Sequence, residues 1–191
     1  MYLFFDTETT GLPKNWKAPV TDVNNWPRMV QLAWEAYDVQ GNLLTRNNHI
    51  IKPVGYVIPA EVSKIHGITT ERALAEGESI ADVLHVFEQQ MSGAGVLVAH
   101  NIDFDEKIVG AELLRNNFVN GLPSKKRLCT MKTKQVIDYC RIAGPYGYKW
   151  PSLAELHKKL FKTSFGEAHN AAVDIAITAK CFWELRRLGV L

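Results

Sequence analysis

Two apolar rhythms alternate along this chain, and the switches between them mark out its elements. Tyr2-Leu3-Phe4-Phe5 is an unbroken apolar run of the kind a buried strand shows, leading directly into Asp6. Met29 to Val39 and Leu43 to Ile51 are β-rich runs separated by the turn signal Gln40-Gly41-Asn42. Together the three runs predict an antiparallel start to a sheet. The rhythm then changes to the helical one. Ser79 is placed to cap a helix whose Ile80, Val83, Leu84 and Phe87 share one face. Gly95 to Ala99 is a short apolar run of the parallel-strand type, and a helix follows it through Val109, Leu113 and Leu114. Ser152 caps a further helix carrying Leu153, Leu156, Leu160 and Phe161. A final helix runs from near Asn170 through Ile175, Ile177, Phe182 and Leu185 to Gly189. Strands first, then alternating helices and strands, predict an α/β fold with a mixed sheet. The irregular stretch from Pro13 to Pro27 is long for a connection, which marks it as a functional loop or a surface excursion. With no internal repeat and no linker, residues 1–191 are read as one domain.

Composition narrows the class without naming a function. A content of 47% hydrophobic and 22% charged residues suits a globular protein with a substantial core. No apolar run approaches the ~20 residues that span a bilayer, and the N-terminus lacks the features of a signal peptide, so no membrane role is expected. Cys129, Cys140 and Cys181 are odd in number and scattered, which fits buried thiols in a reducing cytoplasm better than disulfides or zinc. The net charge of +2 is unremarkable, but its distribution is uneven. Between Ser124 and Lys149, Lys125, Lys126, Arg127, Lys132, Lys134, Arg141 and Lys149 face one acid, Asp138. Such a segment can hold phosphates, although charge alone favours a solvated loop and helix face.

Three clusters carry candidate chemistry. Asp6 and Glu8 are two apart, so in a strand both project from one face, and paired carboxylates repel unless a cation or proton lies between them. Hard oxygen ligands of this kind suit Mg²⁺ or Mn²⁺. His100-Asn101-Ile102-Asp103-Phe104-Asp105 lies where a parallel strand gives way to a helix, the end at which α/β folds place ligands. On that helix, residues two apart point about 200° away from each other, so only one aspartate of the pair can face a given site. His169 and Asp174, five apart, would be about 140° apart on one helix. They share a site only if His169 lies on the loop before it. Each cluster alone has an ordinary reading: a solvated strand end, a helix start made comfortable by acids, a surface histidine.

Their order is the informative feature. FDTETTG, HNxxFD and HxAxxD in succession resemble the three motifs of the DEDDh 3′–5′ exonucleases, the family of the proofreading epsilon subunits of bacterial DNA polymerase III. The resemblance extends to Ile65-His66-Gly67-Ile68-Thr69 and Pro151-Ser152-Leu153 and spans nearly the whole chain. It implies a ribonuclease-H-like fold, a central mixed five-stranded sheet flanked by helices, and release of nucleoside 5′-monophosphates from the 3′ end of DNA. Carried over position by position, Asp6, Glu8, Asp105 and Asp174 match the four metal-organising carboxylates. His169 matches the general base, and Thr9, Ile65 and His66 match positions that contact the terminal nucleotide. The implied cofactors are two divalent cations, Mg²⁺ or Mn²⁺, about 4 Å apart, clamping the attacking and leaving oxygens. Asp6 would bridge both, and His169, with an ordinary pKa near ~6.5, would accept a proton from water. Single-stranded or frayed 3′ ends are the implied partners, with a DNA polymerase complex as a further candidate. Two rival readings are an exoribonuclease of the same family and a non-catalytic nucleic-acid-binding module. Trp16 and Trp26, in the Pro13–Pro27 stretch, are read either as stacking platforms for bases or as part of the domain's own packing.

Overall fold

The computed structural model describes residues 1–166 and 170–191. Strand β1 (Tyr2–Thr9) is central, antiparallel to β2 (Met29–Tyr37) and parallel to β4 (Val96–Ala99). Beyond β2 lies β3 (Leu43–Ile50), antiparallel, and beyond β4 lies β5 (Lys126–Cys129), parallel, giving the order β3-β2-β1-β4-β5. The sheet is therefore mixed and five-stranded, with the antiparallel start that the sequence predicts.

Seven helices are described: α1 (Ala60–His66), α2 (Thr70–Glu76), α3 (Ile80–Ser92), α4 (Ile102–Arg115), α5 (Lys134–Cys140), α6 (Leu153–Phe161) and α7 (Ala171–Arg187). Successive strand residues point to opposite faces, and β1 uses this to bind a helix on each side. Phe4 meets Phe182 of α7 with ring centroids 5.1 Å apart, while Phe5 meets Phe87 of α3 at 5.7 Å. Leu3, Phe4, Phe5, Leu97 and Val98 are almost wholly buried between the layers. Ser152 caps α6 as expected and forms a full capping box with Glu155, so two amides at the helix start are satisfied reciprocally.

β1 runs through Asp6 and Glu8 to Thr9, as the shared face of the two carboxylates requires, with a register shift between Glu8 and Thr9. Other sequence expectations need adjustment. The basic stretch is not one loop and helix face. It divides into edge strand β5, helix α5 and a small hairpin of β6 (Ala143–Gly144) and β7 (Gly147–Tyr148). The Pro13–Pro27 stretch is folded onto the body of the domain: the Asn25 side-chain amide accepts from the Asn15 N–H and donates to the Asn15 carbonyl, and Trp26 is 3% exposed with its indole N–H donating to the Pro19 carbonyl. Trp26 therefore belongs to the core, whereas Trp16 is half-exposed. Cys140 and Cys181 are buried free thiols, and burial pushes Cys181 up to about 12; Cys129 is only half-buried. No helix among the described residues is long and apolar enough to cross a membrane.

Candidate active site

The side-chain parity of β1 assembles the site. Asp6 and Glu8 follow Tyr2 and Phe4 on the face that packs against α7, and Asp174 stands in the first turn of α7. Ligand oxygens of Asp6, Glu8 and Asp174 all lie within 4.8 Å of one another. Asp105 arrives from α4. β4 pairs with β1 only from Tyr2 to Phe4, so beyond it β1 is open on that side. There the Thr7 amide and hydroxyl both donate to Asp105 Oδ1, at 3.0 and 2.7 Å. Those two hydrogen bonds fix Asp105, which is 3% exposed, beside Asp6.

Four carboxylates in one half-buried cluster raise one another's proton affinity. Burial, then the charges of Asp105, Glu8 and Asp174, hold Asp6 well above the usual carboxylate range. Burial, then Asp174 and Asp105, push Glu8 up to about 8. Burial pushes Asp105 up to about 7 against the lowering effect of the Thr7 hydrogen bonds. A cluster this averse to its own charge, built only of hard oxygens, fits divalent cations such as Mg²⁺ or Mn²⁺.

Two polar devices hold the elements in place; sequence reasoning placed the first in a candidate cluster without its structural role and missed the second. His100 ends β4 and spans two other segments: Nε2 donates to the Pro151 carbonyl at 3.1 Å, and Nδ1 faces the Thr130 hydroxyl at 3.0 Å. A carbonyl can only accept, so the proton sits on Nε2. Burial lowers the His100 pKa to about 4, which keeps the ring neutral and structural. Asn101 then turns the chain into α4 with φ +79°, a left-handed conformation that asparagine tolerates better than most residues. Gln31, opposite Glu8 in the β1–β2 ladder, is 2% exposed. Its carbonyl accepts from the Ala171 amide at 3.3 Å and its amide donates to Asn48 at 2.7 Å, tying the start of α7 to β2 and β3. A glutamine inside an apolar strand run was the available signal.

The expected nucleotide-contacting residues gather nearby. Thr9 is buried, its hydroxyl donating to the Gly11 carbonyl at 2.7 Å. His66 is buried at the end of α1, and its Nδ1 accepts from the Ile68 amide at 3.1 Å. Burial lowers its pKa and the nearby Thr9 backbone opposes that, so the ring lies against β1. Gly67, at φ +74°, terminates α1 and leaves Ile65 55% exposed beside it. Of the two aspartates on α4, Asp105 joins the cluster, while Asp103 points to solvent and pairs with Lys132 at 2.7 Å. Phe104, between them, is half-buried against the core and the Trp16 ring. His169 lies outside the described residues.

Comparison with known proteins bears on what such a cluster belongs to. Over 179 residues the chain is 30% identical to DNA polymerase III PolC-type of Streptococcus agalactiae serotype III (strain NEM316) and 29% identical to that of Streptococcus pyogenes serotype M18 (strain MGAS8232). The aligned region is 94% of this chain and 11% of either polymerase, so the chain spans about a tenth of those relatives. Among solved structures, E. coli exonuclease I in complex with a dA16 oligonucleotide superposes with a TM-score of 0.75 at 20% identity, over 97% of this chain and 40% of that one. Exonuclease I from Methylocaldum szegediense superposes at 0.74 and 23% identity, again over 97% and 40%. These two establish the fold. The model of the RNase_T exonuclease family matches residues 3–182, a stretch that contains Asp6, Glu8, Asp105 and Asp174. Sequence motifs, sheet order and carboxylate geometry thus converge with that match, and the chain belongs to the RNase_T exonuclease family of phosphodiester-cleaving enzymes.

Proposed function

We propose that this chain removes nucleotides one at a time from the 3′ end of single-stranded or frayed DNA, releasing nucleoside 5′-monophosphates. The observation that carries the reading is the convergence of Asp6, Glu8 and Asp174 within 4.8 Å, with Asp105 fixed beside them by Thr7. A phosphodiester is anionic and repels a hydroxide nucleophile. Two cations held by Asp6, Glu8, Asp105 and Asp174, Mg²⁺ or Mn²⁺, would supply positive charge at the phosphate and lower the pKa of the attacking water. The protein's own work is to orient and to move a proton. Thr7 locks Asp105, Gln31 locks the start of α7 that carries Asp174, and His169 takes the proton of the attacking water. Thr9, Ile65 and His66 receive the terminal nucleotide, with exposed Ile65 against the last base. DNA is favoured over RNA because the relatives are DNA polymerases and a solved neighbour holds a deoxyoligonucleotide. A polymerase complex is proposed as a partner on the same grounds.

The direct test is incubation with end-labelled single-stranded DNA and RNA of matched sequence, in Mg²⁺, Mn²⁺ or EDTA. The expected result is a ladder shortening from the 3′ end, faster on DNA and stopped by chelation. Digestion that continues after exhaustive chelation, or release from the 5′ end, overturns the proposal; faster loss of RNA overturns the choice of substrate. His169→Ala should lower turnover ~10²–10⁴-fold, as loss of a general base does, while Mg²⁺ binding by calorimetry stays near wild type. Undiminished turnover, or a loss of Mg²⁺ binding equal to that of Asp6→Ala, contradicts its role.

A further inference from the structure

Beside the first turn of α4 lies a cleft of about 610 Å³ that the proposed reaction does not use, lined among others by Trp16, Trp26, Asp103, Lys107, Lys132 and Trp150. We propose that it is a subsite for an internal base of the strand being degraded, with Trp16 and Trp150 stacking on the base and Lys132 holding a neighbouring phosphate. The inference rests on the single-strand reading given above.

The indoles are the first argument. Trp16 and Trp150 come from segments far apart in sequence, yet both line this cleft and are 53% and 55% exposed. The Pro13–Pro27 segment is able to bury a tryptophan, since Trp26 in the same cleft wall is 3% exposed. Trp16 meets Phe104 and Trp150 meets Lys132, yet both rings stay half in water around one cavity, and every nucleobase offers a flat face of matching character. Trp150 is also held in place, because Pro151 after it accepts the bond from His100.

Charge is the second. Lys132 Nζ lies 5.0 Å from the centre of the Trp150 ring, so a cation adjoins the stacking surface. It pairs with Asp103 at 2.7 Å, but the Asp103 side chain is 59% exposed, and ion pairs in that setting contribute little. A phosphate can therefore take the lysine from Asp103 at small cost. The cleft adjoins the segment in which seven basic residues face one acid.

Position is the third. Asp103 lines the cleft and Asp105 joins the carboxylates, so the two sites lie on different sides of one helical turn. A helix is about 10 Å wide, more than one nucleotide step of a strand, so a base in the cleft is not the one at the carboxylates. The base in the cleft would thus be an internal one, and a dinucleotide would end before reaching it.

The experiment compares the wild type with Trp150→Ala, Trp150→Phe and Trp16→Ala on a deoxythymidylate strand of about twelve nucleotides and on the dinucleotide. Trp150→Ala is expected to raise KM for the long strand between about 5- and 150-fold, the range that loss of one stacking contact gives, with kcat unchanged. Dinucleotide turnover should not change, and Trp150→Phe, which keeps a ring, should recover most of the loss. Binding is read separately from tryptophan quenching by the same long strand carrying a nuclease-resistant phosphorothioate at its 3′ end. If the wild type cleaves neither substrate but binds that strand through Trp150, the exonuclease reading fails and the subsite stands. Unchanged KM and unchanged binding in both alanine variants overturn the subsite, as does an equal loss on the dinucleotide.

Discussion

Asp103 and Asp105 stand two positions apart on α4, yet one pairs with a lysine in solvent and the other is buried under two hydrogen bonds from Thr7. Helical rotation of about 200° per two residues makes that difference. Asp105→Asn keeps an oxygen that can still accept from Thr7, so the fold should survive while metal-dependent cleavage is almost abolished. Asp103→Asn should remain an active nuclease. Cleavage rates and melting temperatures of the two variants check this, and an inactive Asp103→Asn beside an active Asp105→Asn would refute it. Gln31 works through another residue, by fixing the start of the helix that carries Asp174. Gln31→Leu should weaken Mg²⁺ affinity or turnover ~10–100-fold, the usual cost of losing an outer support, whereas Gln31→Glu keeps the acceptor and should retain more of both. Magnesium titration of the cleavage rate distinguishes that from general destabilisation, which would leave the metal dependence of the folded fraction unmoved.

At the scale of elements, the Pro13–Pro27 segment is tied to α4 through a buried charge. Glu112 is 0% exposed and accepts from Arg28 Nε at 2.8 Å, Arg115 at 2.7 Å and the Met29 amide at 3.1 Å. Arg115 in turn donates to the carbonyls of Val23, Trp26 and Pro27. Removing the acid leaves two guanidinium groups without their counter-charge, and breaking such a buried pair costs about 3–5 kcal/mol. Glu112→Ala should therefore lower the urea midpoint strongly. Trypsin should also cut faster at Lys14 and Lys17, which lie in the segment the network restrains. A midpoint within error of wild type would show that the network contributes nothing net.

For the whole molecule, the carboxylate cluster sets how stability depends on pH. Asp6, Glu8 and Asp105 all hold their protons more tightly folded than unfolded, with Glu8 at about 8 and Asp105 at about 7. Stability from this source is full below the unfolded carboxylate range near ~4 and is lost as pH rises through the folded values. In EDTA the melting temperature should fall between about pH 5 and pH 8.5. Divalent cations bind the charged form, so the gain in melting temperature from Mg²⁺ should be larger at the upper end. Scanning fluorimetry with and without Mg²⁺ tests this; a metal-free melting temperature that climbs with pH, or an equal gain at both ends, would contradict it.

What the sequence by itself determined is whatever local period carries. The apolar run before Asp6 and the two-residue spacing to Glu8 put both carboxylates on one face, and the spacing within Asp103-Phe104-Asp105 required one aspartate to turn away. The motif order pointed to the family, which the family match then established. What the tertiary structure decided has no local signature. Lys126–Cys129 begins with two exposed cations and ends with two half-buried apolar residues, and it is a strand only because β4 offers it a free parallel edge. Three of the seven cations of the basic stretch are partnered by acids or carbonyls distant in sequence: Lys125 by Ser92 and Ala94, Arg127 by Glu106, Lys132 by Asp103. Gln31 and Glu112 read as unremarkable polar residues, and His100 as a member of a candidate cluster, until these partners, 30 to 140 positions away, are brought beside them. A buried polar group must find a hydrogen-bond partner, and the identity of that partner is set by which elements the sheet places side by side.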